Sequence, residues 1–135
     1  MINKRFRSQS KKIATLFRNM GQPARLQILI TIGEGEACVC HLEALLGYRQ
    51  AYISQHLMAL RKQGLLESRR DGRFIFYRLH DTSMLKLIWV ANQILGGADA
   101  ELDILIQGKA QPHCCCPNCV AELNPLVITE EHITS

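Results

Sequence analysis

Residues 50–79 read QAYISQHLMALRKQGLLESRRDGRFIFYRL, and the fold follows from how this stretch is parsed. Ile53, Leu57 and Leu60 recur at the spacing of one helical face, so a helix is expected from Gln50 to about Gln63, with Gly64 as its stop. Two β-like runs follow, 65–70 and 73–79. They are joined by Asp71-Gly72, a pair that suits a type I′ hairpin turn because glycine tolerates positive φ. Upstream, Leu42, Leu45 and Leu46 mark a short helix at about 39–46 that Gly47 ends. Two short helices across a glycine-containing turn have the form of a helix-turn-helix, and the hairpin behind them has the form of a wing.

Further out the pattern stays helical. Ile13, Leu16, Phe17 and Met20 give an amphipathic helix over 9–20. Pro23 fits the first turn of a second helix over 23–32 (PARLQILITI), which is apolar nearly all round and belongs in the core. After the hairpin, Asp81-Thr82-Ser83 offers an N-cap, and a helix should run to about Leu95. Met84, Leu87, Ile88, Ala91 and Leu95 form one stripe of it, with Leu85 and Trp89 on the other side. A helix apolar on two sides has more surface to bury than one small core needs, so dimerisation is expected. The fold class is mainly α (α+β): a helical core with one β-hairpin wing, dimerising through its terminal helices. A weaker helix is expected over 98–107 and a poorly ordered tail over 120–135. The organisation expected is a DNA-binding and dimerisation domain over 1–107 and a Cys-rich tail over 108–135.

The bulk numbers fit this plan. The chain has 135 residues, enough for one domain with a modest core. Its net charge is +4, unevenly spread. Residues 1–78 hold 14 Lys/Arg against 5 Asp/Glu, and residues 79–135 hold 2 against 7. A basic first part points to a polyanion partner. The start, MINKRFRSQSKK, lacks the apolar stretch of a signal peptide, and no run of about 20 apolar residues suggests a membrane span. A cytoplasmic protein with reduced thiols is therefore expected.

The face of 50–62 opposite the apolar stripe carries Gln50, Ser54, Gln55, Arg61 and Lys62. Gln and Ser can read base edges, while Arg61 and Lys62 suit phosphate. His56 lies between the two faces, with packing, a dimer contact or a DNA contact open to it. Arg69, Arg70 and Arg73 surround the hairpin tip and suit DNA backbone or minor groove, unless the tip is merely a solvated loop.

All six cysteines lie in two clusters, Cys38-Val-Cys40 and Cys114, Cys115, Cys116 and Cys119 in HCCCPNC. Such gathering fits a soft-metal site, a redox switch or a disulfide framework, and reduced thiols disfavour the last. Thiolates suit As(III), Sb(III), Cd(II), Pb(II) and Zn(II): three suffice for a pyramidal site, and four suit a tetrahedral one. Residues at i and i+2 lie about 200° apart around a regular helix. Cys38 and Cys40 can therefore converge on one ion only where the helix is just beginning. Two thiolates need further donors, and the remaining thiols are Cys114, Cys115, Cys116 and Cys119. They can complete the Cys38/Cys40 site, from the same or the other protomer. Alternatively they form a second site, in which Cys116-Pro-Asn-Cys119 closes on an ion with Cys114 or His113.

ACVCHLEALLG together with RQAYISQHLMALRKQGLLESRRDGRFIFYRL resembles the ArsR/SmtB family of bacterial metal-responsive repressors, over roughly residues 10–95. The resemblance rests on the CVC pair opening the first helix of the helix-turn-helix, the SQHLxxLRxxGLL helix and the RxDGRxxxYxL wing. It implies a homodimer on double-stranded operator DNA near its own gene, released when a thiophilic ion such as As(III), Cd(II), Pb(II) or Zn(II) binds. The family's other site, on the helix after the wing, uses Asp and His. Here Asp81 is present but no histidine lies between 81 and 112, so that site is expected to be absent or degraded. Two rivals remain. One is a repressor of the same fold sensing oxidation or persulfidation of its cysteines. The other is a thiol–disulfide oxidoreductase using Cys116-Pro-Asn-Cys119, which lacks the strand and helix that such a motif needs to lower its thiolate pKa. No other catalytic constellation is visible.

Overall fold

The structure, a computed structural model, describes residues 3–98. Helix α1 spans Lys4–Met20, α2 Pro23–Ile32, α3 Val39–Leu46, α4 Gln50–Lys62 and α5 Ser83–Ile94. Strand β1 is Ala37–Cys38, β2 Leu66–Asp71 and β3 Phe74–Leu79. The three strands form one antiparallel sheet in the order β1-β3-β2. The α+β winged helix-turn-helix architecture is as expected.

The core follows the stripes. Ile28, Leu29, Leu42, Ile53, Leu57 and Leu60 are completely buried. Full burial of one such side chain is worth about 1.5–3 kcal/mol. Pro23 stands in the first turn of α2, where its missing N–H costs nothing. Gly47 closes α3 at φ 75, a left-handed conformation that a side chain would strain, and its N–H donates to the Glu43 carbonyl. Three residues, 47–49, then turn the chain into α4. Just before α5, Asp81 Oδ1 accepts the Ser83 N–H at 2.9 Å, which holds the Asp81 carboxyl below its ordinary pKa.

Two sequence expectations need correction, and two further features add to the sequence reading. Helix α1 begins at Lys4 rather than residue 9, capped by the Asn3 side chain, which accepts the Arg5 N–H at 3.0 Å. Its first turns are polar and basic, so hydrophobic periodicity could not reveal them. The hairpin loop is Gly72-Arg73, because Asp71 pairs with Phe74. Only Gly72 has positive φ there, the pattern of a type II′ turn with glycine first, not of a type I′ Asp-Gly turn. Strand β1 was not anticipated, since two residues are too few to show alternation. Finally, the α1 stripe is only partly buried: Met20 is buried and Leu16 packs against the core, while Ile13 and Phe17 are exposed, as is Phe6. The expected helix over 98–107, the domain limit at 107 and the tail over 120–135 lie outside the described residues.

Candidate DNA-reading surface and thiolate pair

Helix α4 turns its apolar stripe fully inward, so its other side is free. Gln50, Gln55, Arg61 and Lys62 are exposed on it, and Ser54 is half-buried. Met58 is exposed as well, one turn from Ser54 and from Lys62. As an apolar residue off the core stripe it was overlooked, although helical spacing alone places it on the polar side. Arg61 and Lys62 lie in the last turn, where cations also favour the helix dipole.

His56 is buried and does not join this face, which sets aside a direct DNA contact. Its Nδ1 accepts a hydrogen bond from Arg25 Nε at 3.1 Å, and its ring meets Tyr52 edge-on at 4.5 Å. Arg25 also donates to the Asn19 carbonyl at 3.1 Å. One arginine of α2 thus ties the end of α1 to α4. Its signal in the sequence was a lone cation in an otherwise apolar helix. Burial, and then the nearby Arg25 charge, hold His56 below its ordinary pKa.

The wing arginines differ in their surroundings. Arg73 lies over the Phe74 ring at 5.7 Å, and Arg70 is exposed without an ion-pair partner among the described residues. Arg69 stacks over Phe76 at 4.5 Å and grips both carboxylate oxygens of Glu36. At the base of the hairpin Glu67 accepts from His80 and Arg78, which lower its pKa.

Cys38 ends β1 and is the N-cap residue of α3, with extended φ −91 and ψ 169, while Cys40 lies in the first turn of α3. The pair therefore straddles a break in backbone regularity, the condition under which i and i+2 can converge. The two thiols are unequal: Cys38 is buried at 2% exposure, and Cys40 is exposed. Among the described residues no group of three or more His, Cys, Asp or Glu side chains is poised to hold an ion. The two thiols alone do not make a metal site. Cys114, Cys115, Cys116 and Cys119, with His113, lie outside the described residues. Asp81 accepts the Ser83 N–H. No helix among the described residues is long and apolar enough to cross a membrane.

A helix-turn-helix whose second helix shows a polar, basic outer side, followed by an arginine-tipped hairpin, defines a winged helix DNA-binding regulator. The family description "Bacterial regulatory protein, arsR family" matches residues 22–68. A biofilm growth-associated repressor of Agrobacterium fabrum is 39% identical over 80 residues, covering 59% of this chain and 68% of the relative. The chain belongs to the ArsR family, whose members are DNA-binding regulators and not enzymes, so the CPNC oxidoreductase rival falls. An arsenic resistance transcriptional regulator of Pseudomonas putida is 45% identical over 76 residues, 52% of this chain and 59% of the relative. The crystal structure of NolR from Sinorhizobium fredii superposes with a TM-score of 0.65 at 31% identity, over 73% of this chain and 98% of that one.

Proposed function

We propose that this chain is a homodimeric repressor that leaves its operator when a thiophilic metal or metalloid binds its cysteines. Cys38 and Cys40 supply two thiolates, and Cys114, Cys115, Cys116 and Cys119 supply the rest. The observation that carries the reading is the placement of the Cys38/Cys40 pair. It spans the junction of β1 and α3, so an ion held there acts on the first helix of the DNA-reading unit. An ion that favours a shape unfit for two half-sites lowers operator affinity by that differential binding alone. As(III), Sb(III), Cd(II), Pb(II) and Zn(II) suit the thiolate set. On the DNA, Gln50, Ser54 and Gln55 face base edges, Met58 suits a thymine methyl, and Arg61, Lys62, Arg70 and Arg73 suit phosphate.

The test is operator binding by the full chain with arsenite, Cd(II), Pb(II) or Zn(II). Wild type is compared with Cys38→Ser/Cys40→Ser and with a chain ending at Gln111. The expected result is release of wild type by at least one ion and retention of DNA by the double variant. Equal release of every variant by the same ion sinks the thiolate reading. An intact response in the truncated chain removes only the contribution of Cys114–Cys119. A second reading, cysteine oxidation or persulfidation, is favoured by the solvent exposure of Cys40. Release of metal-free protein by an oxidant or polysulfide, with no response to ions, would establish it instead.

A further inference from the structure

Residues directly opposite one another in a sheet share a face. Cys38 pairs with Phe76, and Phe76 pairs with Arg69, so these three form one row across β1, β3 and β2. The adjoining row, Ala37, Tyr77 and Ser68, lies on the other face, where Ala37 and Tyr77 join the main core with Leu66 and Leu79. Cys38 and Phe76 are therefore buried on the side of the sheet away from that core, at 2% and 1% exposure. The Arg69 guanidinium covers the Phe76 ring at 4.5 Å and then reaches Glu36, two residues before Cys38. Arg69 Nε donates to Glu36 Oε2 at 2.7 Å, and a second nitrogen donates to Oε1.

We infer that Glu36 and Arg69 form a strap across the sheet that holds Cys38 in β1, so that exposure of the Cys38 thiol and freedom of the wing arginine are one coupled event. The inference deepens the thiolate reading, but it concerns the protein without any ion. With the strap closed, Cys38 sits beside Phe76 on the face that the Arg69–Glu36 pair crosses, and Arg69 is neutralised by Glu36. For Cys38 to meet a ligand from solvent, the Arg69–Glu36 pair that crosses its face of the sheet must open, and Arg69 then loses Glu36. Glu36 is thus a positioning residue for Arg69. A half-exposed ion pair of this kind is modest, but its two-point geometry and aromatic stacking favour a measurable effect.

The experiment is alkylation of the full-length, reduced, metal-free protein by iodoacetamide, followed by peptide mass spectrometry that reads each cysteine separately. In wild type Cys40 reacts quickly and Cys38 slowly. Glu36→Gln and, separately, Arg69→Gln are expected to speed Cys38 about three- to fivefold and leave Cys40 unchanged. The double variant should be no faster than the faster single one, because both remove the same contact. Glu67→Gln removes a different ion pair on the same hairpin and should leave Cys38 at its wild-type rate. Unchanged Cys38 rates in both strap variants overturn the inference. So does equal acceleration by Glu67→Gln, which would mean that general loosening of the hairpin is responsible. A strap seen by alkylation in a protein that no ion releases from DNA would leave the strap standing and defeat the thiolate reading alone.

Discussion

Helices α4 and α5 are nearly equal in length, 13 and 12 residues, yet their apolar surfaces end differently. Helix α4 places its whole apolar stripe, Ile53, Leu57 and Leu60, in the core, and its exposed apolar side chains, Tyr52 and Met58, lie off that stripe. Helix α5 buries Met84, Leu85 and Ile88 but leaves Trp89 and Val90 exposed, with Ile94 at 79% and Leu95 at 85%. Helix α1 matches it, with Phe17 and Ile13 uncovered. Between α1, α2 and α5 runs an apolar groove of about 340 Å³, lined by Phe17, Met20, Leu26, Ile30, Leu87 and Leu95 among others. Contiguous apolar surface of this kind marks an interaction site. The DNA-reading helix is completed by its own chain. Among the described residues nothing completes the terminal helices, which is what dimerisation through them requires.

The sharpest break of this contrast is Leu57→Ala. The side chain is completely buried in α4, so its loss removes transfer energy and leaves a cavity, for about 3–5 kcal/mol. Urea unfolding monitored by circular dichroism should show the unfolding free energy fall by that amount. A loss below about 1 kcal/mol would mean that α4 is not anchored as described.

Leu95→Glu is expected to do the opposite. Leu95 is almost fully exposed within one chain, so the secondary structure of the subunit should survive. If the face is covered in a dimer, a buried carboxylate there should weaken association by about 2 kcal/mol or more, and sedimentation should show monomers. Operator affinity should fall with it, since one subunit reaches only one half-site. An unchanged dimer would break the comparison, because the uncovered face of α5 would then serve something else.

How far these contrasts were legible in the sequence depended on periodicity. The α4 stripe, the Gly47 and Gly64 stops and the α5 pattern were all readable, because three or more apolar residues repeat at a fixed interval. The polar start of α1 and the two-residue β1 carry no repeat and were missed. The same gap hid the strap: Glu36 is one carboxylate among loop glycines until β1 is known to pair with β3. The hairpin was seen but its turn was misplaced by one residue, since Asp-Gly and Gly-Arg loops both bring glycine to a positive φ. The DNA-facing residues of α4 followed from the stripe opposite, and His56, on the boundary between the two sides, is decided by packing against α2.

His56 sharpens the comparison most finely, because it is the one polar anchor on the hidden side of α4. Its Nδ1 accepts from Arg25, so it cannot take a proton there without losing that bond, and its Nε2 is buried without a partner among the described residues. Its folded pKa is depressed, by burial first and by Arg25 second. In the unfolded chain the imidazole protonates near its ordinary value of about 6.5. The folded state binds that proton less readily, so stability is fully present above that value and is lost as pH falls through the folded pKa. The urea midpoint of wild type should therefore drop between pH 7.5 and pH 5. His56→Gln, which lowers stability but does not titrate, should show a flatter dependence over the same range. The depressed pKa of Glu67 acts below this window, since its unfolded value lies near 4.5. If the two proteins gave parallel pH profiles, the bond between Arg25 and His56 would not be what fixes α4 against α2.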